Sequence, residues 1–485
     1  MANFTCERGM AMRLGQNLKI DLTADQRDAL AALEAFLLGN EQFFLLKGYA
    51  GAGKTFLLGL LAKYLSSQNR PFRLMAPTGR AAMILQQKTA CNAATIHKSI
   101  YNYDDIEDRE EKDFKIYFKL RQNNNSEGAI YIVDEASMLS DIYNEEDFLQ
   151  FGSGFLLTDL IRYISPAHRR HSKIIFCGDN AQLPPIGMNF SPALNETYLQ
   201  NKFGLKGLGK TLKNVVRQKQ SSAILKTANQ MHAQIDAKRF NEIHLETGTG
   251  EIKRFEAHDF FREYIRRSQS KPNPMQIAIA YTNKQVWDLN RMFRETYFPG
   301  KASIQPGDLL IINRNRYDED IELLNGLFVE VLEIEEDLEK KQISFKKRGK
   351  EKAYVEISFR TILFRLLGHS YTEPIKCKII DSLLHSDAPR LSEDEQRGLY
   401  IDFLNRMREK DIKPKTQVFK EMLKTDLWFN ALQVKFGYAI TCHKAQGGEW
   451  NDVFVDFRAM KGRLTESYFR WAYTAMTRTQ EKLFA

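Results

Sequence analysis

The amino-acid sequence predicts an α/β protein of two units, each built on a parallel sheet, with a small hairpin inserted in the first and a β-rich segment inserted in the second. Two observations carry this. From residue 40 to 190, short apolar runs alternate with helical stretches, at Phe43 to Lys47, Phe72 to Ala76, Ala129 to Val133 and Lys173 to Cys177. Such alternation is how parallel strands are joined, and strands buried on both faces read as continuous apolar runs. A second set follows at Gln276 to Tyr281, Leu309 to Ile312, Val434 to Ile440 and Asp452 to Asp456, with helical stretches such as Lys284 to Arg294 between some of them.

Length and composition agree with this class. At roughly 150 residues per domain, a chain of 485 residues holds about three units. Hydrophobic residues make up 43% and charged residues 27%, a globular composition, and no apolar run approaches the roughly 20 residues that span a bilayer. The N-terminus MANFTCERGM lacks a basic stretch followed by an apolar core and a small-residue cleavage site, which predicts an intracellular location, in the cytoplasm or nucleoid. Cys6, Cys91, Cys177, Cys377 and Cys442 are scattered, and none form a C-x-x-C pair, which excludes a disulfide framework, a structural zinc or an iron-sulfur cluster. Lys and Arg total 70 against 61 Asp and Glu; the net charge of +9 suits a polyanionic partner without identifying one.

Taken in order, residues 1–208 form the first unit. Within it, residues 101–127 run from acidic (DDIEDREEKD) through strand-like (Phe114 to Leu120) to turn-rich (Asn123 to Ser126), the pattern of a hairpin. Residues 209–328 begin the second unit and 433–485 complete it. The intervening 329–432 carry strands such as Ala353 to Phe359, then a helix opened by Ser392 with a capping box to Glu395 and Leu399, Phe403 and Met407 on one face.

The first unit holds a nucleotide signature. Gly48-Tyr-Ala50-Gly51-Ala52-Gly53-Lys54-Thr55 fits G-x-x-x-x-G-K-[ST], directly after a strand and opening the apolar helix Phe56 to Leu65. Glycines let backbone N–H groups turn inward around phosphate oxygens, Lys54 reaches the outer phosphates, and the Thr55 hydroxyl suits Mg²⁺. Ile130-Tyr-Ile-Val-Asp134-Glu135 supplies a neighbouring strand ending in two acids, Asp134 for the metal and Glu135 to orient and deprotonate the attacking water. Phe176-Cys-Gly-Asp179-Asn-Ala-Gln182-Leu-Pro-Pro185 ends another strand in a polar loop, where Gln182 either senses the terminal phosphate or bonds to backbone.

These blocks have company in order: Leu22-Thr-Ala-Asp-Gln26, Ala76-Pro77-Thr78-Gly79-Arg80, Thr95-Ile-His97, Arg217-Gln218, Gly437-Tyr-Ala-Ile-Thr441-Cys-His443-Lys444-Ala-Gln446-Gly-Gly-Glu449, and Tyr473-Thr-Ala-Met-Thr-Arg478. From Leu22 to Phe484 the chain resembles a superfamily 1 helicase, in the branch of RecD and Dda. The resemblance implies two RecA-like domains with one ATP and Mg²⁺ in the cleft between them, and the match is weakest at 101–127 and 329–432. It implies that the nucleotide is met by Gln26, which reads adenine and is also the end of a capping box with Thr23, by Gly48, Ala50, Gly51, Ala52, Gly53, Lys54, Thr55 and Phe56, and by Glu449. Arg217 and Arg478 match arginine fingers that, with Lys54, Glu135 and Gln182, act on the terminal phosphate.

On the nucleic-acid side the resemblance implies contacts from Pro77, Thr78, Gly79 and His97 in the first unit and Thr441, His443 and Lys444 in the second. Hydroxyls, imidazoles and lysines suit phosphates. For His97 and His443 a packed core role stays open, and Asn283 and Lys284 read equally as a groove contact or a simple helix start. The family places a strand-separating pin near residues 101–127, where Phe114, Tyr117 and Phe118 either stack on an unpaired base or pack onto their own domain. The 329–432 segment occupies the place of the family's SH3-like β-barrel. The expected activity is an ATP-dependent DNA helicase moving 5′ to 3′ on single-stranded DNA and opening tailed or forked duplex, as a monomer in repair, replication or recombination. An ATP-gated single-strand clamp and an RNA-directed motor are the alternatives.

Overall fold

The strand Phe43–Gly48 organises the first unit, and it is buried because both its faces are covered by helices. The computed structural model describes residues 21–485 except 109–115, 126, 145–148, 167–170, 215–221, 257–258, 318–321, 336, 347–351, 370, 415 and 458–464. Six parallel strands run in the spatial order Ala93–Thr95, Phe72–Ala76, Ile130–Val133, Lys173–Gly178, Phe43–Gly48, Gly207–Leu212. Leu57, Leu58, Leu61 and Leu65 of the helix Lys54–Ser67 close one face, together with Leu33 and Phe36 of the helix Ala24–Leu38. The last strand carries no apolar run to announce it. Its sequence GLGKTL lies exposed at the sheet edge, and it extends the first sheet to Leu212, past residue 208. Gly48 makes this edge possible, since a Cβ there would lie 2.8 Å from Leu212 Cβ and 2.9 Å from its carbonyl oxygen.

A five-stranded parallel sheet forms the second unit, in the order Ile252–Lys253, Thr479–Phe484, Trp450–Val455, Gln276–Ala280, Ala439–Thr441. The helices Ala223–Asp236 and Glu466–Met476 pack on it around Met231, Phe469, Trp471 and Met476. The two-unit α/β class read from sequence is therefore the architecture observed.

Two runs assigned by sequence to that parallel sheet belong elsewhere. Leu309–Ile312 and Val434–Phe436 pair antiparallel with each other, and Leu309–Ile312 also pairs with Phe328–Ile334. Phe328–Ile334 and Glu339–Lys346 both line the 15-residue strand Lys352–Leu366, whose other edge takes Ile375–Ile380. The inserted antiparallel sheet thus begins at 309 and returns at 436, wider than 329–432. The run Val434 to Ile440 is two strands in two sheets, broken at Gly437, where a Cβ would press on Phe328 at 3.1 Å and the Leu310 carbonyl carbon at 3.2 Å. Helices Asp381–Leu384, Glu393–Glu409 and Gln417–Thr425 complete the insertion. Ser392 caps the longest of them with the capping box to Glu395, and Leu399, Phe403 and Met407 are buried. The antiparallel and second parallel sheets share one core through Leu310, Val329, Ile362, Ala278 and Phe454.

In the first unit, Tyr101–Asp108 and Ile116–Leu120 pair antiparallel as hairpin arms, and Leu149–Phe151 joins them parallel to the second arm. This third strand gives the arms an apolar seat.

Candidate active site and nucleic-acid groove

The loop between Phe43–Gly48 and Lys54–Ser67 turns through Gly51 (φ 74°) and Gly53 (φ 86°), left-handed conformations that glycine adopts without a Cβ clash. No side chain caps the helix at Gly53, so its first N–H groups remain for an anion. The Lys54 ammonium donates to the carbonyls of Gly48 at 2.7 Å and Tyr49 at 3.1 Å and lies 4.0 Å from Asp179 Oδ2. Thr55 Oγ1 donates to Asp134 Oδ2 at 3.2 Å, which places a hydroxyl and a carboxylate side by side at the helix start. Phe56 points outward from the first turn.

Glu135 follows in a left-handed conformation (φ 51°), a strained choice for a non-glycine residue, and its N–H donates to Asp134 Oδ1 at 2.9 Å. Burial raises the Glu135 pKa, helped by Asp134 and Asp179 and opposed by Arg478 and Lys54. Gln26 forms the expected capping box with Thr23, and its amide Nε2 donates to the Ala52 carbonyl at 3.0 Å. It therefore braces the phosphate loop with the same side chain that caps the helix.

Asp179 is fully buried at the junction of the two units. Tyr473 Oη donates to Asp179 Oδ2 at 2.6 Å and accepts from Ala50 N at 3.0 Å, so one hydroxyl ties the second unit to both the loop and this acid. His232 Nε2 lies 3.2 Å from Asp179 Oδ1, and its ring stacks on Tyr49 at 3.6 Å. Burial acts to raise the Asp179 pKa, but His232, Lys54 and Tyr473 bring it below the usual value. The following loop is held the same way: Leu183 N donates to Thr474 Oγ1 at 2.9 Å, Gln446 Nε2 donates to Leu183 O at 3.0 Å, and Arg470 donates to the carbonyls of Asn180 and Gln182. Gln182 is 4% exposed, and its side-chain Oε1 has no hydrogen-bond partner.

Arg478 is buried in the cleft with its guanidinium on Thr474 O (3.1 Å), Gly448 O (3.4 Å) and Thr477 Oγ1 (3.1 Å). Arg217 lies outside the described residues. Glu449, expected at the nucleotide, accepts on both oxygens, from Lys88 at 2.9 Å and from Gln480 at 2.9 Å. Although burial opposes it, Lys88 and the other partners push the Glu449 pKa down to about 2. This ion pair crosses between the units.

The residues expected at nucleic acid divide. Asn283, Thr441 and Lys444 line one cleft, with Trp287, Lys435 and Pro389. Thr441 makes no side-chain capping bond, and burial pushes both Lys444 and Lys435 down to about 8. Lys284 is exposed and paired with Asp288 at 3.0 Å, one turn along a helix capped by Thr282. Thr78 caps the helix Gly79–Thr89, Pro77 is half-buried, and Gly79 is buried so tightly that a Cβ would sit 2.1 Å from Leu324 Cβ.

His97 packs among Tyr101 at 5.6 Å and Phe151 at 5.2 Å, where burial pushes its pKa down to about 4. Burial thus disfavours the charged imidazole there. Burial also lowers the His443 pKa. Phe118 is buried and stacked on Phe151 at 4.8 Å, so it packs on its own domain, while Tyr117 is half-buried and Phe114 lies outside the described residues.

Sequence reading missed Tyr473, His232, Lys435 and Trp287. Tyr473 stood in a quoted block without a role, whereas a lone histidine or tryptophan in a helical stretch gives no signal.

Residues 21–150 match an AAA domain and residues 436–485 a UvrD-like helicase C-terminal domain. The chain is 21% identical to an uncharacterized protein of Acanthamoeba polyphaga mimivirus, over 96% of this chain and 99% of that protein. It is 25% identical to the ATP-dependent RecD2 DNA helicase of Deinococcus radiodurans over 61% of this chain, spanning 37% of that protein. Among solved structures, a Pif1 helicase from Bacteroides in complex with ADP-AlF3 and ssDNA is similar at a TM-score of 0.45 and 14% identity, covering 96% of this chain and 92% of that one.

Proposed function

We propose that the chain is a superfamily 1 helicase of the RecD-like branch that moves 5′ to 3′ along single-stranded DNA and opens the duplex ahead, driven by Mg-ATP hydrolysis between its two units; the matches to an AAA domain and a UvrD-like helicase C-terminal domain support this reading. One observation carries the coupling. The path from Ala50 N through Tyr473 Oη to Asp179 joins the phosphate loop, the second unit and the loop that holds Gln182. Any displacement of phosphate-loop atoms is felt by a helix of the other unit.

The residues fit a divalent cation, because the Thr55 hydroxyl and the buried Asp134 carboxylate stand together beside an anion-binding helix start. Mg²⁺ held there would neutralise phosphate oxygens during transfer. The Glu135 carboxylate takes the proton of the attacking water, and its raised pKa suits that task. Lys54 and Arg478, with Arg217, offset negative charge on the terminal phosphate, and Gln182 senses its presence by donating from its side-chain amide nitrogen, while the amide oxygen, left without a partner, can accept from the attacking water. Loss of that phosphate releases the arginines and lets the cleft open, so a strand lying across both units is gripped by each in turn.

The clamp reading keeps one observation on its side: Phe118 is turned inward and cannot wedge a duplex. The test is strand displacement from a partial duplex bearing a 5′ or a 3′ tail, with Lys54→Ala as the blank. Opening of the 5′-tailed substrate alone supports the proposal, and opening from the 3′ tail alone reverses the polarity. Strand-stimulated hydrolysis with no displacement from either leaves the clamp.

A further inference from the structure

We infer that Trp287 is a stacking platform for one unpaired nucleobase of the strand, in the cleft between the helix Asn283–Tyr297 and the segment ending at Pro389. The inference rests on the reading that single-stranded DNA crosses the second unit, and adds to it a residue that none of the family blocks contains. The other three tryptophans are accounted for: Trp450 and Trp471 are buried in the core of the second unit, and Trp428 packs on the insertion. Among the described residues, Trp287 belongs to no core cluster and faces no other aromatic ring. A large half-buried indole that serves no core, set in the wall of a cleft, is available to a ligand.

The chemistry of the cleft selects the ligand. The Lys435 ammonium sits 5.6 Å from the Trp287 ring centroid, held there by bonds to the carbonyls of Leu383 and Ser386, both at 2.6 Å. Lys444 is held by Asn313, and Thr441 and Asn283 add a hydroxyl and an amide. A flat apolar surface with one fixed cation over it and a second nearby, neutral hydrogen-bonding groups and a single carboxylate, Asp387, matches one nucleotide of a single strand, whose base has an exposed π-face and whose phosphate is anionic. A paired base keeps its faces inside the duplex stack, so duplex DNA lacks the group that this ring would meet.

The experiment is equilibrium binding of the full chain to a short oligothymidylate and to an abasic strand of the same length, at fixed salt. Trp287→Ala is expected to weaken binding to oligothymidylate roughly tenfold while leaving the abasic strand unaffected. Trp287→Phe, which keeps a ring, should retain most of the preference, and Trp287→Leu, which keeps apolar bulk without a plane, should lose it. Equal loss on both strands, or equal behaviour of Phe and Leu variants, would make Trp287 a structural residue and overturn the inference. If the unmodified protein binds neither strand, the groove reading itself falls and the role of Trp287 falls with it.

Discussion

Glu135 shows how much a single residue's setting decides. Its carboxyl is buried beside two other acids, and Arg478 and Lys54 oppose the rise in its pKa. Glu135→Gln removes the proton acceptor while keeping the size of the side chain. Steady-state ATP hydrolysis should fall by about 10²- to 10⁴-fold, with nucleotide still bound, as measured by phosphate release and filter retention. Normal turnover in this variant would remove Glu135 from the reaction. The residues that were legible in sequence are those whose chemistry is local: Lys54, Thr55, Asp134 and Glu135 each sit at the end of a strand or the start of a helix, where spacing alone places them. Tyr473 and His232 were not legible, because their partners Ala50 and Asp179 are remote in the chain and only the fold brings them together. Glu449 and Phe118 show the reverse limit. For Glu449 the sequence does not show its partners Lys88 and Gln480, and for Phe118 it leaves base stacking and domain packing open, where the structure shows the packing, on Phe151.

At the level of elements, strands with continuous apolar runs were readable and edge strands were not. GLGKTL pairs along Phe43–Gly48 by its backbone, so its side chains carry no pattern. Val434 to Ile440 failed for a different reason: both halves are apolar, and composition does not reveal which sheet each joins. The cleft formed by these elements has a pH signature. Burial lowers the pKa of Lys435 and Lys444 to about 8, so the cleft loses charge well before an exposed lysine would. Single-strand affinity should therefore fall several-fold as pH rises through about 8. In Lys444→Met the fall should be shallower, checked by anisotropy titration at constant ionic strength. Folding stability has the opposite sign. Between about 8 and the ordinary lysine value the unfolded chain binds more protons than the folded one, so stability rises with pH over that window. A variant in which affinity and stability moved together would argue against these two lysines as the titrating groups.

Taken as a whole, the molecule is two parallel-sheet units whose junction is a polar mesh. Tyr473→Phe deletes one hydroxyl that serves both Ala50 N and Asp179 while leaving the aromatic packing in place. With a hydrogen bond to a charged group contributing roughly 1.5–3 kcal/mol, kcat/KM for ATP should drop about ten- to a hundredfold. The thermal midpoint should move by only a few degrees. An unchanged kcat/KM would mean that the junction does not pass through this residue. The insertion bears on the same whole. Val434–Phe436 belongs to the antiparallel sheet and Ala439–Thr441 to the second parallel sheet, with only Gly437 and Tyr438 between them. Asn290 fixes this crossing by accepting from the N–H groups of Tyr438 and Ala439, both at 2.9 Å. A tether that short has no slack. On the proposed function, a load applied to the insertion would reach Thr441 along this crossing as tension in the backbone, a stiff lever between the antiparallel sheet and the second parallel sheet.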